Sequence, residues 1–175
     1  WTSIWIGAGR FSHSAYLRYD KVLQEIFGWK QAPSQSTYSR FFQKFSWKRN
    51  TEVFVPTQKW FIDNLRIKNI TVDFDSSVMT RYGEQEGSKV GYNSSKPGRA
   101  SHHPLMAFIA ETRMVANAWF RPGNTAALRN CKAFIDETFE ILKDKKVGLI
   151  RADSGFYAHD FLNYLEIEKH TNYII

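Results

Sequence analysis

Two apolar stretches of the chain each lead to an aspartate and then to small residues. Residues 70–75 alternate between apolar and polar positions and end at Asp75, which two serines follow. Residues 147–150 are apolar throughout, and three positions later the chain reaches Asp153, which a serine and a glycine follow. Alternation is typical of a half-buried strand, and a short continuous apolar run is typical of a strand covered on both faces. The pattern therefore predicts two strands, each with a carboxylate at its carboxyl end.

The same kind of pattern predicts further elements around these two strands. Segments 105–110 and 114–121 predict a hairpin, and a last strand begins at residue 173. A helix is predicted from Asn124 or Thr125 to about residue 142, and another from His159 to Lys169. The apolar stripe of the first of these helices comprises Leu128, Cys131, Ile135, Phe139 and Leu142.

The order of the predicted elements indicates the fold class. Three strands, a helix, a strand, a helix and a strand follow one another along residues 68–175. An antiparallel meander of three strands followed by helical crossovers to parallel strands is the order of the ribonuclease H-like α/β fold. Its first and fourth strands are neighbours, so Asp75 and Asp153 are expected to meet at one edge of the sheet.

The first 67 residues form a separate region, which we predict to be helical. One helix is expected over residues 12–27, a second after Pro33-Ser34, and a third from residue 57 to about 66. Two short helices around a turn, the second of them basic, resemble a helix-turn-helix in outline. The residues predicted to face inward are Tyr16, Tyr19, Leu23 and Ile26 in the first, Tyr38, Phe41, Phe42 and Phe45 in the second, and Trp60, Phe61 and Leu65 in the third.

Charge supports a nucleic-acid partner for this region. The net charge is +7, and residues 1–50 carry eight basic and only two acidic side chains. A basic front ahead of a neutral remainder indicates contact with a polyanion, whereas a solvated surface with a chance excess is the alternative. Residues 81–103 hold four glycines and no sustained period, and we predict a long mobile loop. The predicted phosphate contacts are Arg40, Lys44, Lys48 and Arg49 in front, with Lys89, Lys96 and Arg99 on the loop.

Other compositional features exclude some classes of protein. Cys131 is the single cysteine, so internal disulfides and cysteine-rich zinc sites are excluded. We interpret Cys131 as a small core residue. No apolar run approaches the roughly 20 residues of a membrane span. These features fit a reducing compartment, and we expect a cytoplasmic protein.

Asp75 and Asp153 suggest a metal site. Two neighbouring carboxylates repel unless a cation lies between them, and magnesium accepts one or two carboxylates together with water and phosphate oxygens. An aspartate that merely caps a turn is the simpler alternative for each residue. Asp73 is left open as a third ligand, a helper or a partner of the backbone. His102 and His103 point to opposite faces of a strand, so we expect loop residues or phosphate contacts rather than one chelating pair.

Several spaced motifs, in order, resemble the DDE transposases of bacterial insertion sequences, and the resemblance spans nearly the whole chain. The catalytic part carries Asp73-Phe74-Asp75-Ser76-Ser77-Val78, Tyr82-Gly83, Gln85-Glu86-Gly87, Gly91-Tyr92-Asn93, His103-Pro104-Leu105, Arg121-Pro122-Gly123-Asn124 and Arg151-Ala152-Asp153-Ser154-Gly155-Phe156.

The resemblance implies a ribonuclease H-like core that cuts and joins DNA at transposon ends with Mg²⁺, for which Mn²⁺ is a substitute. Asp75 would be the first catalytic aspartate and Asp153 the second, and Asp75 is preferred to Asp73 because it directly precedes the serines. The implied partners are double-stranded DNA, as terminal inverted repeats and target, and a second copy in a homodimer of the full-length protein. The location implied is the bacterial nucleoid.

The family's third acidic residue, a glutamate on a late helix, has no counterpart here. Glu166 and Glu168 lie too close to Asp153 to be that residue. We therefore expect a truncated chain that has little or no strand-transfer activity alone. Two alternatives stay open, namely a non-catalytic DNA-binding remnant and another nuclease of the ribonuclease H-like class.

Overall fold

The computed structural model describes the backbone of residues 2–175 and their side chains, apart from those of Trp47 and Thr51. Contacts divide the chain into two compact units, the first ending at Phe54 and the second comprising Val55–Ile175. This division falls within a helix. The predicted boundary between a DNA-binding region and a catalytic domain, at residue 67, lies elsewhere and stays a prediction. None of the helices in the described part of the chain has both the length and the hydropathy of a membrane span.

The first unit consists of short helices. They are α1 (Thr2–Trp5), α2 (Ser14–Tyr19), α3 (Lys21–Ile26), α4 (Gln35–Phe42) and the beginning of α5 (Trp47–Asp63), with a 3-10 turn at Phe11–His13. Helix α4 starts as predicted, because Ser34 caps it by accepting a hydrogen bond from the Thr37 amide at 3.3 Å.

The prediction of one helix over residues 12–27 is wrong. Asp20 has an extended backbone and its Oδ1 accepts the Leu23 amide at 3.0 Å, so a new helix begins there. Because the helix is interrupted at Asp20, the buried residues differ from those predicted for one continuous helix. Leu17 and Gln24 are buried, whereas Tyr16, Tyr19 and Ile26 are exposed.

Helix α5 begins ten residues earlier than predicted. Its inward residue in the second unit is Ile62, which is 1% exposed, while Trp60 and Phe61 are exposed. One position along a helix is a rotation of about 100°, so Trp60 and Phe61 lie off the buried face, whereas Leu65, which follows the helix, packs against the core as predicted.

A five-stranded sheet organises the second unit. Its strands are β1 (Asn69–Ser76), β5 (Leu105–Ile109), β6 (Met114–Trp119), β7 (Lys146–Ala152) and β8 (Asn172–Ile174). The order across the sheet is β6-β5-β1-β7-β8, antiparallel on the β5 side of β1 and parallel on the β7 side. This is the ribonuclease H-like arrangement, so the predicted fold class is confirmed. The first and fourth long strands, β1 and β7, are neighbours, as predicted.

The core lies on one face of this sheet. Ile70, Val72 and Phe74 are buried at alternate positions of β1, as the period of two predicted. They belong to one buried cluster with Phe134 of α6 (Cys131–Ile141) and Phe161 of α7 (His159–Asn163), which continues as a π-helical turn over Tyr164–Glu168.

Helix α6 begins later than predicted. Neither Asn124 nor Thr125 caps it, since the helix follows Asn130, whose φ is 59°. Cys131 is buried in the core, as predicted, and burial raises the pKa of its thiol to about 12. That thiol is therefore neutral and unreactive at physiological pH.

A second, smaller sheet lies largely within the segment that was predicted to be a loop. It consists of β2 (Met79–Thr80), β3 (Lys89–Val90) and β4 (Ala100–His102), in the order β2-β4-β3. The predicted loop over residues 81–103 thus contains two strands, β3 and β4, which are too short to show a period in the sequence. Asn93 adds an internal link, donating to the Thr80 hydroxyl at 2.9 Å and accepting from the Lys96 amide at 3.0 Å.

Candidate active site

Strands β1 and β7 bring Asp75 and Asp153 to the same edge of the sheet. The parallel register ends with the pair Phe74 and Ala152, so the two aspartates are the next residues on neighbouring strands. Parallel neighbours lie about 4.8 Å apart, and both aspartates are exposed to solvent. The sheet therefore presents two carboxylates side by side.

Each carboxylate is oriented by one local hydrogen bond. The Ser77 hydroxyl donates to Oδ2 of Asp75 at 3.2 Å, and the Gly155 amide donates to Oδ1 of Asp153 at 2.9 Å. Asp153 thus caps the 3-10 turn Ser154–Phe156. Capping uses one oxygen, and among the described residues the other oxygen of each carboxylate has no hydrogen-bond partner. Hard oxygen donors of this kind fit a magnesium ion that keeps water or phosphate ligands.

Asp73 has a different partner. Both of its oxygens accept hydrogen bonds from Arg151, at 2.6 Å from Nε and 2.7 Å from a terminal nitrogen. This bidentate pair raises the pKa of Arg151. A cation would have to displace the guanidinium, so the third-ligand alternative for Asp73 conflicts with the observed ion pair. No group of three or more His, Cys, Asp or Glu residues within the described residues 2–175 could hold a metal ion.

A cavity of about 550 Å³ opens beside Asp153. It gathers parts of the sequence that are far apart, namely the end of β1, the small sheet and the loop after β6. Several motifs on which the family resemblance rests therefore meet at one place. The lining residues are Ser76, Val78, Gly91, Tyr92, His103, residues 123–127, Asp153 and Gly155.

Arg121 holds the loop that forms one wall of the cavity. Its guanidinium donates to the Ser76 hydroxyl at 3.0 Å and to the carbonyl of His103 at 3.1 Å. It also donates to the carbonyls of Ala126, Ala127 and Arg129, at 3.1 to 3.3 Å. The residue is 6% exposed, and its desolvation lowers the pKa of the guanidinium. The sequence analysis noted Arg121 only as part of a motif and assigned it no role.

Two glycines permit the small sheet to approach this loop. A Cβ atom on Gly91 would lie 2.0 Å from the carbonyl oxygen of Gly123. A Cβ atom on Gly123 would lie 2.5 Å from the carbonyl oxygen of Lys89. Both contacts are with backbone atoms, which cannot rotate away. The two walls of the cavity therefore meet only because neither residue has a side chain.

We expect Gly123→Ala to destabilise the protein by about 1–3 kcal/mol or more, because overpacking against backbone forces the two walls apart. Gly9→Ala is the matched control, since a Cβ there meets nothing within 4 Å and its φ is not in the left-handed region. Urea denaturation monitored by tryptophan fluorescence measures both variants. Equal stability of the two variants would contradict the close approach.

The two adjacent histidines have separate partners. His102 is buried in β4, where its Nδ1 accepts from Nε of Arg81 at 2.9 Å and its Nε2 donates to the Glu86 carbonyl at 2.9 Å. Its expected role as a loop residue or phosphate contact is wrong, because both ring nitrogens are used internally. Nδ1 of His103 donates to the carbonyl of Thr125 at 2.8 Å, and the ring lines the cavity.

The predicted phosphate contacts are all exposed. One set is in the first unit, where Arg40 lies on α4. The other set belongs to the second unit, where Lys89 is on β3 and the guanidinium of Arg99 lies 5.7 Å from the ring centre of Tyr82. The full set of predicted phosphate contacts, all of them exposed, comprises Arg40, Lys44, Lys48, Arg49, Lys89, Lys96 and Arg99.

Comparison with known families decides the class of protein. The model of the transposase DDE domain group 1 family matches residues 2–175, which is nearly the whole chain. The chain belongs to this family. The predicted resemblance to DDE transposases is thereby confirmed.

The solved structures that are similar to this DDE domain have low sequence identity to it. The Mos1 transposase paired-end complex with left transposon end has 14% sequence identity to this chain and a TM-score of 0.39. The Mos1 strand transfer complex has 12% identity and the same TM-score. Each match covers 87% of this chain and 52% of the other, so the chain spans about half the length of these structures. A search of curated protein sequences found no match.

Proposed function

We propose that this DDE domain comes from the transposase of a bacterial insertion sequence, and that Asp75 and Asp153 bind a divalent cation for phosphodiester chemistry on DNA. The observation that carries the proposal is the parallel register of β1 and β7, which ends one residue before both aspartates. Asp153 also caps a turn, but capping leaves its second oxygen for a ligand, and a cation between the two exposed carboxylates would remove their repulsion.

The residues of the chain have separate tasks in this proposal. Ser77 and the Gly155 amide each orient one carboxylate and leave the second oxygen of each for a ligand. Arg121 keeps the end of β1 and the loop after β6 together. A bound Mg²⁺, or Mn²⁺ in its place, would supply charge stabilisation and an activated oxygen for in-line displacement at phosphorus.

The proposed partner is double-stranded DNA, bound as transposon terminal repeats and as target. The basic residues support this partner, because phosphate contacts are made mainly by arginine and lysine. The exposed Lys89, Lys96 and Arg99 belong to the same unit as the two aspartates. We propose a location at the bacterial nucleoid and a homodimer of the full-length protein as parts of the same function.

A non-catalytic DNA-binding remnant is the second candidate. It is favoured by the lack of a metal-binding group of three ligands among the described residues. For the same reason we propose that these 175 residues do not carry out strand transfer alone.

Manganese titration of the 175-residue protein, with and without a duplex carrying a terminal inverted repeat, tests the proposal. We expect one saturable Mn²⁺ site, which Mg²⁺ competes for and which tightens when the duplex is present, because phosphate oxygens complete the coordination. DNA binding without any Mn²⁺ binding would favour the remnant. Binding of neither would overturn both candidates.

A further inference from the structure

Tyr92 lines the cavity beside Asp153 and is unusually exposed for such a residue. It is 74% exposed, although the residues on both sides of it are held firmly. Gly91 packs directly against the backbone of Gly123, and Asn93 is 4% exposed and bonded to Thr80 and Lys96. The backbone at Tyr92 is therefore constrained, and a large aromatic side chain is presented to solvent from a rigid position.

His103 supplies an unused hydrogen-bonding group to the same cavity. Its Nδ1 carries the proton, because the partner of that nitrogen is the carbonyl oxygen of Thr125, which can only accept. In the neutral ring Nε2 is then an acceptor, and no hydrogen bond of Nε2 is found among the described residues. The tautomer is thus set by the protein, and Nε2 is available to a donor that enters the cavity.

Size and charge narrow the class of ligand. A volume of about 550 Å³ is in the range of pockets that bind a small organic ligand, and an aromatic wall with a few polar groups is typical of such pockets. The exposed cations Lys89, Lys96 and Arg99 belong to the small sheet and its connection, which also carries Tyr92. An exposed aromatic ring on a segment that also carries basic groups fits the combination that binds unpaired bases along a phosphate backbone.

We propose that this cavity accepts one unpaired nucleotide of the DNA, with its base stacked on Tyr92 and a base or sugar donor bonded to Nε2 of His103. The proposal rests on the proposed function, since it places that nucleotide next to the phosphate that Asp75 and Asp153 would face. Tyr92 is then a positioning residue that favours substrate with a displaced base near the cleaved bond.

Two short duplexes of one sequence test this assignment in the presence of Mn²⁺. One ends blunt with a paired 2-aminopurine, and the other ends with 2-aminopurine as a single unpaired nucleotide. We expect the protein to bind the unpaired form more tightly and to quench its fluorescence, because stacking on an aromatic ring quenches 2-aminopurine.

Variants separate stacking from general DNA binding. Tyr92→Ala is expected to weaken binding of the unpaired duplex about 5- to 150-fold, the range found for losing one base–aromatic stack, and to leave the blunt duplex unaffected. Tyr92→Phe retains the ring and should behave as the unchanged protein. Tyr82→Ala is the matched control, because Tyr82 is 72% exposed on the same segment and does not line the cavity.

The outcomes distinguish this assignment from the function on which it rests. Equal affinity for the two duplexes, or a preference for the unpaired form that Tyr92→Ala retains, would overturn the nucleotide pocket and leave the proposed function intact. Binding of neither duplex would overturn both. A loss of preference in Tyr82→Ala equal to that in Tyr92→Ala would also count against the pocket, since it would place stacking outside the cavity.

Discussion

Asp153→Asn is expected to weaken Mn²⁺ binding at least about tenfold, and Asp75→Asn is expected to do the same. Changes to groups that merely orient a ligand cost about 10- to 100-fold in metal affinity, so loss of a charged ligand should cost no less. The substitutions keep the local structure. An asparagine Oδ1 can still accept from the Gly155 amide at position 153 and from the Ser77 hydroxyl at position 75. Isothermal titration of Mn²⁺ into each variant measures the effect.

Two further variants serve as controls for the metal site. Asp160→Asn removes an exposed carboxylate from the first turn of α7 and should leave Mn²⁺ binding unchanged. Asp73→Asn should also bind the ion, because Asp73 is occupied by Arg151. If either strand-end variant bound Mn²⁺ as tightly as these controls, the carboxylates would not form the site. A loss of binding in Asp73→Asn alone would move the site to that residue.

Arg121→Met is expected to reduce the free energy of unfolding by at least about 1–3 kcal/mol, the range for leaving a polar group without its hydrogen-bond partner. The methionine has a similar length and is apolar, but it leaves the Ser76 hydroxyl and four carbonyl oxygens without their donor. Each partly buried polar group that loses its partner costs free energy, and these costs accumulate here in one loop. Chemical denaturation followed by tryptophan fluorescence measures the loss.

Arg129→Met is the control for Arg121→Met. Arg129 is exposed and contributes only its backbone carbonyl to the network, so its side chain should change stability by no more than about 0.5 kcal/mol. Arg121→Lys should fall between the two, because an ammonium keeps the charge but has three donors instead of five. If Arg121→Met were as stable as Arg129→Met, the hydrogen-bond network would not be what stabilises the loop.

The sheet and its two aspartates could be predicted because they follow from local periodicity. Burial of every second residue in β1 is encoded in the alternation of residues 70–75, and the order of strands and helices leaves few topologies. Helix boundaries were predicted less well. Asp20 ends one helix and starts another through a single side-chain hydrogen bond, and the apolar spacing around it gives no sign of that.

The sequence by itself determined the fold class, the family and the placement of Asp75 and Asp153 at neighbouring strand ends, since each depends on patterns within short segments. Only the tertiary structure decided that Asp73 pairs with Arg151, that Gly91 meets Gly123, and that Arg121 closes a cavity wall. These contacts join residues between about 30 and 80 positions apart. No local propensity encodes them, because they exist only once the strands have set the distances between the connecting loops.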